Sequence, residues 1–319
     1  NAALLLLPLI LLGSYTARKA SRGRQLAVAG LSVLVIAVLS VLLLRQRPVN
    51  FDRFRYKERA AAAAPDDWMV FPPIRFSPTS SEREPALAPA SRQHPLGTDA
   101  IGRDVLARII HGARISLAIG IASVAVAMLI GVTIGAMAGF FRGWVDALIM
   151  RVVEIFLCFP VLVLILTLLA FWQRGSFLVI MLVIGLTGWT KAARQVRGEF
   201  LRQRSLDYVA AAAALGIAPL RIVFVHILPN AIQPALVTAT FGVAAAILAE
   251  STLSFLGLGV PPPAPSWGGM LYDASRYVAH HPQLALWPGL AIFVTIVSYN
   301  LVGEGLRDAL DPRLRRQER

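Results

Sequence analysis

Six separate stretches of this chain are apolar over enough residues to cross the hydrocarbon core of a bilayer as helices, which takes about 20 residues each. They fall at residues 26–44, 115–140, 147–171, 176–189, 232–256 and 284–301, the fourth being short. Within lipid only helices and closed barrels satisfy every backbone N–H and C=O, and the stretches carry no strand-like alternation. The expectation is therefore an all-α membrane protein with about six transmembrane helices. Composition agrees, because 56% of the 319 residues are hydrophobic and 15% charged, with a mean hydropathy of +0.65, against roughly 45–50% and 25% in soluble domains. A further apolar run at residues 2–12 fits a truncated span, an interfacial helix or a signal-peptide-like h-region, and the sequence leaves the three open.

The formal net charge of +13 would suit a nucleic-acid partner, but nearly all of it is Arg distributed between apolar segments, so no nucleic acid is expected. Topology accounts for it better. Short loops rich in Lys and Arg stay on the cytoplasmic side. One side collects Arg18, Lys19, Arg22, Arg24, Arg142, Arg151, Lys191, Arg194, Arg197, Arg202, Arg204, Arg221, Arg307, Arg313, Arg315, Arg316 and Arg319, whereas the other has only Arg174 and Arg276 in short loops. The long segment 45–114, with twelve basic and eight acidic residues, is exempt by its length. Both termini are then cytoplasmic. The expected organisation is an N-terminal segment with the first span at 1–44, an external insert at 45–114, a membrane core at 115–306 with a cytoplasmic loop at 191–230, and a cytoplasmic tail at 307–319. Trp144, Trp172, Trp189 and Trp287 fall at span ends, the depth that indole favours.

Several chemistries are missing from the sequence. None of the three lysines, Lys19, Lys57 and Lys191, follows a phosphate-cradling glycine loop, so the chain carries no ATP site of that kind. No nucleophile, base or metal constellation is visible. His280-His281 stands alone ahead of Pro282 and reads as a loop pair, and Cys158 has no partner for a disulfide.

Other residues suggest packing and motion. Ser123, Ala127, Gly131, Gly135 and Gly139 recur every four residues and give the second span one face of small side chains for close helix packing. Pro160 is expected to kink the third span. Glu250, near the outer end of the fifth span with Ser251, Thr252 and Ser254, is either a wall or outer gate of a path, or a structural acid bonding helix ends. In the loop 191–230, Ser205 is expected to cap a helix through the Ala210–Ala214 run, with Gly216 as its left-handed C-terminal cap. Pro219 then opens a second helix that ends at Pro229-Asn230. Such a small-faced knob either docks in another protein's groove or is only a helical connector, and the residues alone leave both open.

The stretch Asp207-Tyr208-Val209-Ala210-Ala211-Ala212-Ala213-Ala214-Leu215-Gly216, continued by His226-Ile227-Leu228-Pro229-Asn230, resembles the EAA loop of ABC importer permeases, with Ala210 where that motif has glutamate. His94-Pro95-Leu96-Gly97-Thr98-Asp99-Ala100-Ile101-Gly102-Arg103-Asp104-Val105 resembles the signature of the C-type permease of dipeptide, oligopeptide and nickel importers. Leu253-Ser254-Phe255-Leu256-Gly257-Leu258-Gly259 and Arg307-Asp308-Ala309-Leu310-Asp311-Pro312-Arg313 match the same family. The insert at 68–80 is similar to that of its Yej branch.

The resemblance implies a type I importer permease fold in a bacterial inner membrane, with a periplasmic insert at 45–114 and a cytoplasmic coupling helix. Asp207, Tyr208, Ala210, Ala211, Ala212, Leu215 and Gly216 would be the coupling residues. It further implies a homologous B-type permease, two ATPase domains that hold the ATP and magnesium, and a periplasmic or lipid-anchored solute-binding protein. The chain itself would bind no cofactor and catalyse nothing. The competing reading is a carrier driven by an ion gradient, which calls for internal repeats and charges at mid-membrane; within the family, a nickel permease is the alternative to a peptide permease.

Overall fold

A computed structural model of the chain describes residues 76–79, 85–171 and 176–310. The expected span at 26–44, the run at 2–12, most of the insert and the tail beyond Leu310 lie outside the described residues. Helix α1, Val105–Phe141, begins ahead of the expected 115 because Asp104 caps it, its carboxylate accepting the Ala107 N–H at 2.6 Å. It ends where Arg142 and Gly143 take φ of 55° and 59°, left-handed values that a helix cannot continue through. Its 37 residues reach about 56 Å, well beyond the hydrocarbon core.

The expected kinked span at 147–171 is two helices, α2 (Gly143–Cys158) and α3 (Val161–Phe171), bent by 90°. Pro160 removes a backbone donor and forces the residue before it out of the helical region, and Phe159 accordingly sits at φ −94°, ψ 134°. Helix α4, Phe177–Arg204, runs past the expected end at Trp189, since charged side chains leave lipid without breaking a helix. The first third of the supposed loop 191–230, up to Arg204, is thus an extension of α4.

The chain continues through α5 (Asp207–Ala214), α6 (Pro219–Arg221), a π-helical turn at Ile222–Ile227 and α7 (Leu228–Ala231). The helix expected to stop at Pro229-Asn230 ends one residue later, at Ala231, and Ile232 leads directly into the next helix. The wider turn lets the Leu228 N–H reach the Val223 carbonyl just ahead of a proline that has no N–H to give, and the path stays helical. Three elements complete the described chain: α8 (Gln233–Phe255), α9 (Trp267–Ser275) and α10 (Gln283–Leu310). Helix α9 had not been expected. Of these, α1, α4, α8 and α10 are each long and apolar enough to cross a membrane, and the bent pair α2 and α3 passes the same test together.

The closest seam joins α1 to α4. Ser123 donates to the Met181 carbonyl at 3.0 Å, and a Cβ added to Gly131 or Gly135 would lie 2.6 Å from the Ala192 Cβ or 2.5 Å from the Ala193 carbonyl oxygen. Gly139 meets Phe200 in the same way. The four-residue ladder therefore faces α4 along its length. Helix α8 packs against α1, α9 and α10. Large apolar side chains also point outward, among them Leu129, Phe171, Phe293 and Leu301, as a lipid-facing surface requires.

Candidate functional site

The knob after α4 is built by two turns of backbone geometry. Ser205 does not cap α5. It ends α4 instead, at φ −84°, ψ 0°, its hydroxyl donating to the Arg202 carbonyl at 2.8 Å, while Leu206 takes the extended backbone that an N-cap needs. Asp207 in the first turn of α5 complements the helix dipole. At the other end Gly216, at φ +73°, sends its N–H to Ala213 and is followed by an Ile217 N–H bonded to the Ala212 carbonyl. That pair of bonds is a Schellman closure.

Within α5, Val209 and Ala212 point inward and pack with Phe200, Ile222, Val223 and Ile227. Tyr208 donates to the Gln203 side-chain oxygen at 2.7 Å, Gln203 donates to Glu199 at 2.7 Å, and Arg202 also bonds Glu199. This relay bolts α5 to the end of α4. Arg197 grips Asp146 with two bonds, which ties the start of α2 to the same stretch of α4. Ala210, Ala211, Leu215 and Gly216 are left exposed, beside exposed Leu220, Phe224 and Val225. Exposed apolar side chains of this kind are typical of an interaction surface, and the hydrogen bonds above fix α5 to the end of α4. Ala212 is the exception among the residues singled out from sequence, because it serves the chain's own core.

Glu250 is fully buried at the opposite end of the bundle. Its carboxylate accepts from Ser254 at 2.8 Å on α8 and from Ser116 at 3.1 Å on α1. Ser116 in turn accepts the Trp267 N–H at 3.3 Å, and Ser266, which caps α9 through Gly269, donates to Ser254 at 3.4 Å. Ser251 is buried where α9 crosses closest, since a Cβ on Gly268 would lie 2.5 Å from its Cα. The acid thus staples α1, α8 and the start of α9. In this conformation it lines no open path.

The signature at 94–105, which sequence reading quoted without a structural role, holds the other end of α9 together with Arg108, which sequence reading passed over. Asp99 accepts from the Arg103 side chain at 2.6 Å and from the backbone of Ile101 and Arg103, and Arg103 and Arg108 reach Asp273 of α9 at 3.0 and 3.2 Å. His94 is bonded to the capping Asp104 at 2.7 Å. The signature at 94–105 is therefore a folded clamp on α9. Its only visible signal was the Asp-x-x-Gly-Arg-Asp spacing.

A family described as "Binding-protein-dependent transport system inner membrane component" matches residues 131–316. The chain is 42% identical to the glutathione transport system permease protein GsiD of Pectobacterium atrosepticum, over 70% of this chain and 74% of that one. It is 40% identical to the oligopeptide transport system permease protein OppC of Bacillus subtilis, over 77% and 81%. It is also 37% identical to a putative peptide transport system permease protein of Brucella suis, over 94% and 92%. Among solved structures, the MetNI methionine ABC transporter in an inward-facing conformation shares the fold with a TM-score of 0.54 at 18% identity, covering 64% of this chain and 97% of that one.

Proposed function

The chain belongs to the family of binding-protein-dependent transport system inner membrane components, and from that membership we propose that it is one of two membrane-spanning subunits of an ATP-driven peptide importer. The observation that carries the reading is the rigidly mounted knob at α5, closed by Gly216 and exposing small and apolar side chains. A carrier driven by an ion gradient has no use for such a projection, and the relatives' names concern peptide transport. In this reading the second permease subunit is homologous, two ATPase domains hold ATP and magnesium and dock on α5, and a solute-binding protein delivers peptide from the far side. The chain lies in the bacterial inner membrane with the basic ends of its helices and both termini in the cytoplasm; the insert 45–114 is periplasmic, 115–306 forms the membrane core and 307–319 the tail.

Mechanically, closure of the ATPase pair displaces α5, and the Tyr208, Gln203 and Glu199 relay carries that displacement into α4. Because α4 is seamed to α1 with no room for slippage, the two spans move as one body. The test is reconstitution of the chain with its neighbouring permease, ATPase and binding-protein genes. Uptake of a labelled oligopeptide should require ATP and the binding protein and should persist without an ion gradient. Uptake driven by a gradient, with no ATPase co-purifying, would replace this reading by the carrier.

A further inference from the structure

The last half of α4 carries five basic residues, and three are engaged by the chain itself: Arg197 by Asp146, Arg202 by Glu199, and Arg204 by the Phe140 carbonyl. Lys191 and Arg194 differ. Neither is paired with an acid among the described residues, and both line a cavity of about 400 Å³ between α4 and α8, together with Gln195 and Thr238. Two cations three residues apart share one helix face and repel each other. That repulsion persists unless something negative lies between them. Thr238 begins a stripe on α8 with Phe241, Ala245, Leu248 and Thr252, spaced at three and four residues, that no other part of the described chain fully covers. The cavity thus sits at the basic end of α8, on the side of the exposed Ala245 and Leu248, while Phe241 packs toward Gly303 of α10.

Resting on the peptide-importer reading, we infer that Lys191 and Arg194 form an anion site at the cytoplasmic mouth of the path and take the C-terminal carboxylate of a passing peptide. A carboxylate suits the donor set, because ammonium, guanidinium and amide N–H groups can converge on two oxygens. Cations at a membrane's inner surface commonly snorkel to lipid phosphates. Here the two cations converge with Gln195 and Thr238 on one open depression between two spans, where both oxygens of a single carboxylate can be held together. The site is open, so its hold is weak enough for release, as a step on a path requires.

The experiment uses the complete assembly in vesicles of phosphatidylcholine, with and without phosphatidylglycerol. It compares uptake of a peptide accepted by the binding protein both as free acid and as C-terminal amide. The quantity read is the ratio of the two rates, in which the binding protein's own preference cancels between wild type and variant. In Lys191→Gln/Arg194→Gln the acid-to-amide ratio should fall about tenfold in both lipid compositions, the size expected for losing charge-assisted bonds. In Lys191→Arg/Arg194→Lys it should stay near wild type. An unchanged ratio in the glutamine variant, with wild type importing peptide, overturns the site and leaves the importer standing. A loss equal for acid and amide, and confined to vesicles with phosphatidylglycerol, identifies a lipid-phosphate site and overturns the carboxylate assignment. A wild-type assembly without ATP-driven peptide uptake removes both readings together.

Discussion

At Gly216 a Cβ would meet no atom within 4 Å, yet the backbone stands at φ +73°, so substitution there probes conformation and not packing. A non-glycine residue pays about 1–2 kcal/mol for that region, and a β-branched one more. Gly216→Val should therefore loosen the Schellman closure, with faster hydrogen exchange at residues 207–217 and reduced import, and Gly216→Ala should show a milder form of both. Unchanged exchange in the valine variant would remove the turn from the account. Glu250 is a different kind of residue, held by hydroxyls on two helices and buried completely. Glu250→Gln can be accommodated, because the serine hydroxyls turn to accept from the amide. Glu250→Leu leaves them without a partner at about 1–3 kcal/mol for each orphaned group. The leucine variant should lower the melting temperature and expose the amides of α9 to exchange, whereas the glutamine variant should do little of either; equal effects would mean that the charge, and not the hydrogen bonding, holds the staple.

Among the elements, α1 and α4 share the tightest seam, and in the proposed mechanism they move as a unit. Gly135→Leu would drive a side chain into the Ala193 carbonyl, a backbone atom that cannot rotate away, at a cost of about 1–3 kcal/mol or more. Its yield in membranes should fall sharply, and a fully stable variant would show that the seam is looser than drawn. This seam was legible in sequence, because a four-residue repeat of small side chains maps onto one helix face whatever the partner. The staple was not. Glu250 was visible as an acid in a span, but Ser116, Ser266 and Trp267 come from other elements, and only their three-dimensional convergence reveals the hydrogen-bond network around it. Helix α9 went unseen since its nine residues are too short for a periodic signal, although Pro265-Ser266 ahead of Trp267 was a cap waiting to be read. The break at Pro160 was placed correctly and its 90° bend was not, because proline fixes a donor and one torsion while neighbours decide the angle.

In the machine proposed for the whole molecule, an ATPase pair pushes on α5, α4 and α1 form a stiff body, and the path ends between α4 and α8. The sequence carried the class of this machine through hydropathy and motif spacing. It could not say which alanines of α5 face outward, since a run from Ala210 to Ala214 has no polar residue to mark a side. The structure puts Ala212 in the chain's own core and Ala211 on the exposed face. Bulk at Ala212 thus disturbs folding, and the informative substitution is Ala211→Trp. In the reconstituted assembly, peptide import by Ala211→Trp should fall at least tenfold, and ATP hydrolysis should no longer rise when loaded binding protein is added, while the amount of folded permease stays at the wild-type level. Wild-type import with full stimulation of hydrolysis in that variant would contradict the claim that α5 is where ATP's work enters this chain.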